Sequence, residues 1–177
     1  HSEIVKKLIE QGADILAKDN DGKTAFDLSQ DNQPLQEILK NSATDLLFKI
    51  SSSNKDAGPF FGIVDALVDG KDPLKKIEKL IEQGADFTVK RTIGGSEKSV
   101  LQLAEEKGNA NIARYFKERI SERIVATCKG QGGDVKSLQN LLSLGVKYEN
   151  DKITEFATIA KTNNQSGLWF FVCKSFQ

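Results

Sequence analysis

One heptapeptide, LIEQGAD, occurs twice in this chain, at residues 8–14 and again at residues 80–86. Seven identical residues 72 positions apart are not expected by chance, so the chain contains an internal repeat. A repeated unit constrains the fold strongly, because each copy must adopt the same local structure and stack on its neighbour.

Apolar residues around the first copy have helical spacing. Val5, Leu8 and Ile9 stand at i, i+3 and i+4, which places them on one face of a helix. Gly12 follows as a stop, because glycine tolerates the left-handed conformation that ends helices. The same triad recurs, 30, 42, 35, 26 and 30 residues apart, in segments that begin at Leu35, Ile77, Ile112, Leu138 and Leu168.

A second helical pattern alternates with these triads. Thr24 is a suitable N-cap for the first of this second set. Spacings of this size are typical of stacked helical units that cannot bury their apolar faces alone. The sequence therefore predicts an all-α solenoid of about five to six helix pairs. The second set comprises TAFDLS (24–29), GIVDALV (62–68), SVLQLA (99–104), RIVATC (123–128) and TEFATIA (154–160).

These segments resemble the ankyrin repeat family. DGKTAFDLS (21–29) resembles the start of its unit, which has about 33 residues, a turn and two helices, and the cue T-P-L-H-x-A. Ala25, Phe26 and Asp27 stand in the Pro, Leu and His places of that cue. HSEIVKKLIEQGAD (1–14) closely resembles the second helix of the family and the glycine after it.

The resemblance is that of a divergent array. SVLQLA and TEFATIA match the cue loosely, and the spacings of 42 and 26 residues are too long and too short for the family. Because His1 stands where the second helix usually begins, the first unit is expected to be truncated. The chain also contains no Met, so we expect residues 1–177 to be one ankyrin-like domain of a longer protein.

Three irregular segments interrupt the array. Residues 51–59, SSSNKDAGP, are predicted to form an inserted loop after a short extra helix at 45–50. Residues 90–98, KRTIGGSEK, are predicted to form a turn or finger between units. Residues 129–134, KGQGGD, join two predicted helices. Loops of this kind carry binding function more often than helices do.

The segment 167–176, GLWFFVCKSF, is predicted to be an aromatic C-terminal helix. The apolar triad of the repeat explains part of it, but Trp169, Phe170 and Phe176 are left over. They indicate that something packs against this helix. A downstream domain, another subunit and the underside of the previous unit are the three alternatives.

Catalytic and metal-binding chemistry is not indicated. The chain has 1 His and 2 Cys, which exclude a Ser-His or Cys-His pair, a disulfide framework and a zinc signature. GQGG (130–133) lacks the strand and the lysine of a phosphate-binding loop. We predict no catalytic residue, no metal and no cofactor. Four basic residues form either a salt-bridged helix face or a small patch for an acidic partner: Arg114, Lys117, Arg119 and Arg123.

Composition and charge restrict the class of partner that this chain is expected to bind. The chain is 38 % hydrophobic and 28 % charged, which is typical of a soluble folded protein, and its longest apolar run, LWFFVC (168–173), is too short to span a bilayer. Net charge is zero, although residues 1–88 carry −5 and residues 89–177 carry +5. We therefore expect no nucleic acid and no membrane, and a polarised field could orient a protein partner.

The resemblance to ankyrin repeats implies a protein–protein interaction module that docks another protein on its concave face and turn tips. We expect a monomer in the cytoplasm, where the two cysteines stay reduced. Divergent repeats of this style also occur in proteins that intracellular bacteria deliver into host cells. The alternative is a non-catalytic arm of a larger enzyme, which presents substrate or holds the catalytic domain.

By the same analogy, the partner-binding residues come from the turn tips and the starts of the inner helices. Tyr148 is of particular interest because tyrosine is enriched at interface hot spots. The set comprises Lys18, Asn20, Asp21, Lys23, Asp27, Lys90, Arg91, Thr92, Ile93, Gln102, Lys147, Tyr148, Asn150 and Lys152.

Overall fold

The computed structural model describes residues 2–53 and 73–175, and this part of the chain is mostly helical. Its only sheet pairs β1 (Arg91–Ile93) with β2 (Ser96–Lys98) in antiparallel orientation. The predicted all-α class is confirmed. The helices are α1 (Ser2–Glu10), α2 (Ala25–Leu28), α3 (Gln33–Ser52), α4 (Pro73–Glu82), α5 (Val100–Glu106), α6 (Ala110–Cys128), α7 (Val135–Leu142), α8 (Asn150–Thr162) and α9 (Ser166–Ser175).

Both copies of LIEQGAD end a helix in the same way. In the first copy the Ala13 amide donates to the Leu8 carbonyl over 2.9 Å, and in the second the Ala85 amide donates to the Leu80 carbonyl over 2.9 Å. The glycine between has φ +91° in the first copy and +83° in the second, a conformation that favours glycine. This bond pattern satisfies the last carbonyls of each helix, so the heptapeptide is a helix stop.

The chain that follows each stop also repeats. A carboxylate oxygen of Asp14 accepts the Leu16 amide over 2.9 Å, and that of Asp86 accepts the Thr88 amide over 2.8 Å. Each loop then ends in a capping box, in which an N-cap hydroxyl and the third residue of the helix satisfy each other's backbone amides. These boxes open α2 and α5.

Two helices are longer than predicted. The segment 45–50, expected to be a separate short helix, is the second half of α3, and α3 continues through Ser51 and Ser52 into the predicted loop. Residues 123–128 are likewise the end of α6. Neither junction contains Gly or Pro, so nothing interrupts the backbone hydrogen bonds. Residues 54–59 of the predicted loop and the predicted helix 62–68 lie outside the described residues.

The long helices organise the packing. α3 packs on α1 and α2 and also on α4 and α5, whereas α6 packs on α4 and α5 and also on α7 and α8. α9 then packs on α7 and α8. Each of α3 and α6 therefore lies between one pair of helices before it and another pair after it. One continuous core results, and its largest fully buried side chains include Phe116, Phe156, Leu47, Ile77, Leu80, Leu101, Leu103, Ile120, Ile124 and Leu138.

Membrane crossing is not supported by the described helices. None of those found in residues 2–53 and 73–175 combines the length and the apolar character that a bilayer span requires.

Candidate functional site

Three loops contain most of the predicted binding residues, and we name them the tip loops. Loop 1 (13–24) connects α1 to α2, loop 2 (85–99) connects α4 to α5, and loop 3 (143–149) connects α7 to α8. Each therefore leaves one packed helix and enters the next helix of the chain. Because both ends of every loop are fixed on packed helices, the loops form a framework in which polar tips can be held in place.

Loop 1 is held by its own side chains. A carboxylate oxygen of Asp19 accepts the amides of Asp21 and Lys23, both over 2.9 Å, and Lys18 and Thr24 form an antiparallel bridge. The tip is therefore ordered by hydrogen bonds within the loop. Its predicted binding residues are all exposed to solvent: Lys18, Asn20, Asp21 and Lys23.

Loop 2 is a β-hairpin whose two-residue turn consists of Gly94 and Gly95, with φ of +62° and +82°. Positive φ at both positions matches the right-handed twist of the flanking strands and favours glycine. The hairpin tip is formed by exposed residues on both sides of this turn: Thr92, Gly94, Gly95, Ser96 and Glu97.

Arg91 attaches this hairpin to α3. Its guanidinium forms an ion pair with Asp45 and lies over the Phe48 ring, 4.8 Å from the centroid. Ile93 packs against the core and Lys90 is half-buried. Arg91 and Ile93 therefore hold the hairpin in position, and Thr92 is the predicted residue of loop 2 that faces solvent freely.

Loop 3 is fastened to the start of α5 and to α6. The Ser99 hydroxyl donates to the Leu144 carbonyl over 2.7 Å, at a buried position. Tyr148 lies edge-on to the Phe156 ring, with centroids 5.2 Å apart, and its hydroxyl is 3.2 Å from the Ser121 hydroxyl. Burial raises the pKa of Tyr148 above its ordinary value, against the opposing effect of the Ser121 hydrogen bond. Tyr148 is therefore a packing residue.

The other predicted residues in loop 3 and just after it are divided between exposed and engaged side chains. Lys147 and Asn150 are exposed, whereas the Lys152 ammonium lies 2.8 Å from a carboxylate oxygen of Glu155 and 5.5 Å from the centroid of the Phe156 ring. Lys152 is therefore engaged within its own helix and with the core.

Two predicted residues at inner-helix starts are caps. The Asp27 carboxylate accepts the Thr24 amide over 2.8 Å, and the Gln102 side chain accepts the Ser99 amide over 2.9 Å. The backbone hydrogen bond from Thr24, followed by that from its side chain, lowers the pKa of Asp27 below its ordinary value of 3.8. These side chains stabilise the helix starts.

Of the predicted set, the residues that remain available to a partner share one property: they are exposed in the tip loops or immediately after them. They are Lys18, Asn20, Asp21, Lys23, Thr92, Lys147 and Asn150. Sequence reasoning missed the hairpin tip from Gly94 to Glu97. The Gly-Gly pair between two short runs was the available signal, since that dipeptide favours a tight hairpin turn.

Two of the four basic side chains of α6 form ion pairs. The Lys117 ammonium lies 2.7 Å from a Glu105 carboxylate oxygen, and the Arg119 guanidinium lies 3.0 Å from that of Glu122. Arg123 instead lines a groove formed by α4, α6 and α7, which contains two adjoining cavities of about 670 and 620 Å³. Both cavities are also lined by Ile81 and Phe87.

Nucleophilic and metal-binding groups are sparse in the described chain. Burial raises the pKa of the Cys128 thiol to about 11, so this cysteine is protonated at neutral pH and a poor nucleophile. Across residues 2–53 and 73–175, no cluster of three or more His, Cys, Asp or Glu side chains is arranged to hold a metal ion.

The C-terminal helix α9 exposes aromatic surface. Leu168 and Val172 are buried, whereas Phe170 is exposed and Trp169 is partly exposed, with the Lys161 ammonium 5.9 Å from its ring centroid. The remaining aromatic residue of this predicted contact, Phe176, lies outside the described residues.

A comparison of the sequence with protein-family models finds no match, and a comparison with curated proteins finds no significant one.

Proposed function

We propose that this protein is a protein–protein interaction module of the ankyrin-repeat kind, which binds a partner protein through its three tip loops. The observation that carries the proposal is that loops 1 and 2 are built on the same helix stop and capping box but present different tips. Rigid, repeated supports with variable tips are suited to recognising one extended protein surface.

Preorganisation supports this function. Asp19 orders loop 1, Arg91 attaches loop 2 to α3, and Ser99 holds loop 3 against α5. Docking on these tips therefore requires little further ordering of the loops. The entropy lost when loops become ordered is one of the main costs of association. We accordingly expect docking with little change in the backbone of this protein.

Affinity capture with matched variants tests the proposal. The tip variant carries Lys18→Glu, Lys23→Glu and Lys147→Glu, all at exposed positions. The control carries Lys7→Glu, Lys79→Glu and Lys136→Glu, exposed lysines on the outer surfaces of α1, α4 and α7 that give the same change in net charge. Both are used as baits beside the unaltered chain in a eukaryotic lysate, because of the resemblance to host-delivered bacterial proteins.

The proposal predicts partners that are retained by the unaltered chain and the control and lost by the tip variant. Recovery of the same partners by all three baits would place binding elsewhere. Circular dichroism of each bait, run in parallel, shows whether a loss reflects folding.

A second candidate function is a non-catalytic arm of a larger enzyme, and one observation favours it. Phe170 is exposed on α9, whereas the matching positions of the repeated triad in α3 and α6 carry the charged residues Glu37 and Arg114. An exposed aromatic ring at a position that is charged in α3 and α6 is typical of a covered contact surface. If Phe170→Glu leaves solubility and partner capture unchanged, this candidate loses its support.

A further inference from the structure

The groove between α4, α6 and α7 is a surface that the proposed binding at the tip loops does not use. It contains the two adjoining cavities of about 670 and 620 Å³, and both are open to solvent. Each cavity lies within the size range of ligand pockets in proteins. Among the described residues, the lining of the two cavities includes none of the exposed tip residues. The groove is therefore a separate candidate site.

Three of the described residues line both cavities and so mark the place where the cavities join: Ile81, Phe87 and Arg123. The first two are half-buried and pack against the core. The Phe87 ring also lies near the buried Phe116 ring, with centroids 6.4 Å apart. Core packing therefore fixes an apolar surface at the centre of the groove, and an apolar side chain of a ligand can cover its solvent-facing part.

Arg123 supplies an available positive charge beside this apolar surface. Its side chain is exposed, and it has no ion pair or hydrogen bond to another side chain in residues 2–53 and 73–175. Arg119, one helical turn earlier, is instead engaged, because it donates to the Tyr115 hydroxyl over 3.2 Å and to a Glu122 carboxylate oxygen over 3.0 Å. The guanidinium of Arg123 is thus free to bind an anionic group of a ligand.

The α4 side of the groove carries the opposite charge. Glu78 and Glu82 are exposed, lie one helical turn apart and line the larger cavity. Neither forms an ion pair within the described part of the chain. Asp86, by contrast, accepts the Thr88 amide over 2.8 Å and the Thr88 hydroxyl over 2.7 Å. The available charges are therefore acidic on α4 and basic on α6, with the apolar surface at the centre of the groove.

This arrangement restricts the class of ligand. The carboxylates of Glu78 and Glu82 would repel the phosphates of a nucleic acid or an anionic membrane placed against Arg123. A polypeptide, however, can present an acidic, an apolar and a basic side chain within a few residues. Charge complementarity across the groove therefore favours a peptide segment over a polyanion.

We propose that this groove binds a short peptide segment of a partner protein, in which an apolar side chain is flanked by an acidic and a basic one. The apolar side chain packs on Ile81 and Phe87, and the acidic one pairs with Arg123. The basic one lies beside Glu78 and Glu82. A guanidinium matches a carboxylate well, because it can donate two parallel hydrogen bonds to it. The proposal does not depend on binding at the tip loops.

Selection from a displayed library of short random peptides tests the proposal without a natural partner. The baits are the unaltered chain, Arg123→Glu and the control Arg114→Glu, which changes an exposed arginine of the same helix that lines neither cavity. The unaltered chain and the control are expected to select peptides that combine Asp or Glu with a bulky apolar residue. Arg123→Glu is expected to select Lys or Arg in place of the acidic residue.

The peptide most enriched by the unaltered chain is then labelled, and its Kd is measured by fluorescence anisotropy. Arg123→Glu is expected to raise the Kd by about tenfold or more, because a charge-assisted pair is lost and a like charge is added. Ile81→Ala is expected to raise it by about threefold, because part of the apolar contact is removed. Arg114→Glu should leave it within about twofold, because about 13 Å of helix separates it from Arg123 and salt screens charges at that distance.

Several outcomes would overturn the proposal. Selection of no peptide above background does so, as does a selected peptide whose Kd is the same for Arg123→Glu and the unaltered chain. An equal loss in Arg114→Glu and Arg123→Glu would show that net charge, and not the groove, determines binding. If light scattering finds a dimer that Arg123→Glu dissociates, a second copy occupies the groove and the proposal is wrong. Circular dichroism of every variant shows whether a loss reflects folding.

Discussion

The two copies of LIEQGAD differ in their surroundings and not in their local structure. Both end a helix with the same hydrogen bonds and a glycine at positive φ. In α4 the copy lies between α3 and α6 and contributes to the core, whereas in α1 it packs mainly on α3 among the described helices and leaves Leu8 exposed.

The comparison separates two kinds of information in one sequence. The helix stop is local, because glycine and the carbonyls it satisfies belong to the same segment. The contribution of the leucine to the free energy of unfolding depends on neighbours distant in the chain, because they determine how deeply its side chain is buried. A repeated sequence can therefore specify one backbone and two different contributions to stability.

The largest expected effect is a difference between the two matched leucines. Leu80→Ala is expected to lower the free energy of unfolding by about 3 kcal/mol, since it leaves a cavity in the core. Leu8→Ala is expected to change it by less than about 0.5 kcal/mol, since that side chain is exposed. Urea unfolding followed by circular dichroism measures both, and equal costs would contradict the burial difference.

The two capping hydroxyls provide the next comparison. Thr24→Ala removes a cap and is expected to cost about 1 kcal/mol of unfolding free energy. Ser99→Ala removes a cap and also leaves the buried Leu144 carbonyl without its donor, so about 2 kcal/mol is expected. Thermal unfolding of the two variants ranks them, and Ser99→Gly serves as the control that removes the hydroxyl while favouring the cap backbone.

Loop attachment gives a smaller effect. A double-mutant cycle of Arg91→Ala and Asp45→Ala is expected to yield a coupling free energy of at most about 1 kcal/mol, because both side chains are partly exposed to solvent. Asp19→Ala in loop 1 should be additive with Asp45→Ala, because the Asp19 carboxylate accepts amides of its own loop. Coupling between Asp19 and Asp45 would show that the loops are not independently held.

The smallest expected effect is a difference between the two capping boxes in their response to acid. The folded pKa of Asp27 lies below its ordinary value of 3.8, so its stabilising contribution is fully present above pH 3.8 and is lost as the pH falls from there through the lower folded pKa. Gln102, at the same position of the second box, does not titrate. NMR should therefore show the Thr24 amide shifting in acid while the Ser99 amide stays constant, and a parallel shift of both would contradict this account.

Local signals in the sequence predicted much of the fold. Gly12, the Thr24 cap and the spacing of the apolar triads identified where helices end and begin. The continuity of α3 and α6 was not predicted, because 45–50 and 123–128 were each interpreted as a separate helix. One buried face in fact runs through each junction, as Leu39, Ala43 and Leu47 show in α3. No Gly or Pro marked a break, and that absence was the better guide.

The intramolecular contacts of the candidate-site residues could not be predicted from the sequence, for a physical reason. Arg91 and Tyr148 were expected to contact a partner, but Asp45, Phe48 and Phe156 engage them within the molecule. Such contacts depend on which helices pack together, and local sequence patterns do not specify this. Solvent-facing tips such as Lys23 were predictable because turn chemistry alone determines them.

Amide hydrogen exchange of this protein, alone and with a captured partner, tests the central claim most directly. The account predicts slowed exchange in the three tip loops, centred on residues 18–24, 91–98 and 144–149, with little change in α4 and α6. Protection confined to the groove between α4, α6 and α7, with the tip loops unchanged, would contradict it.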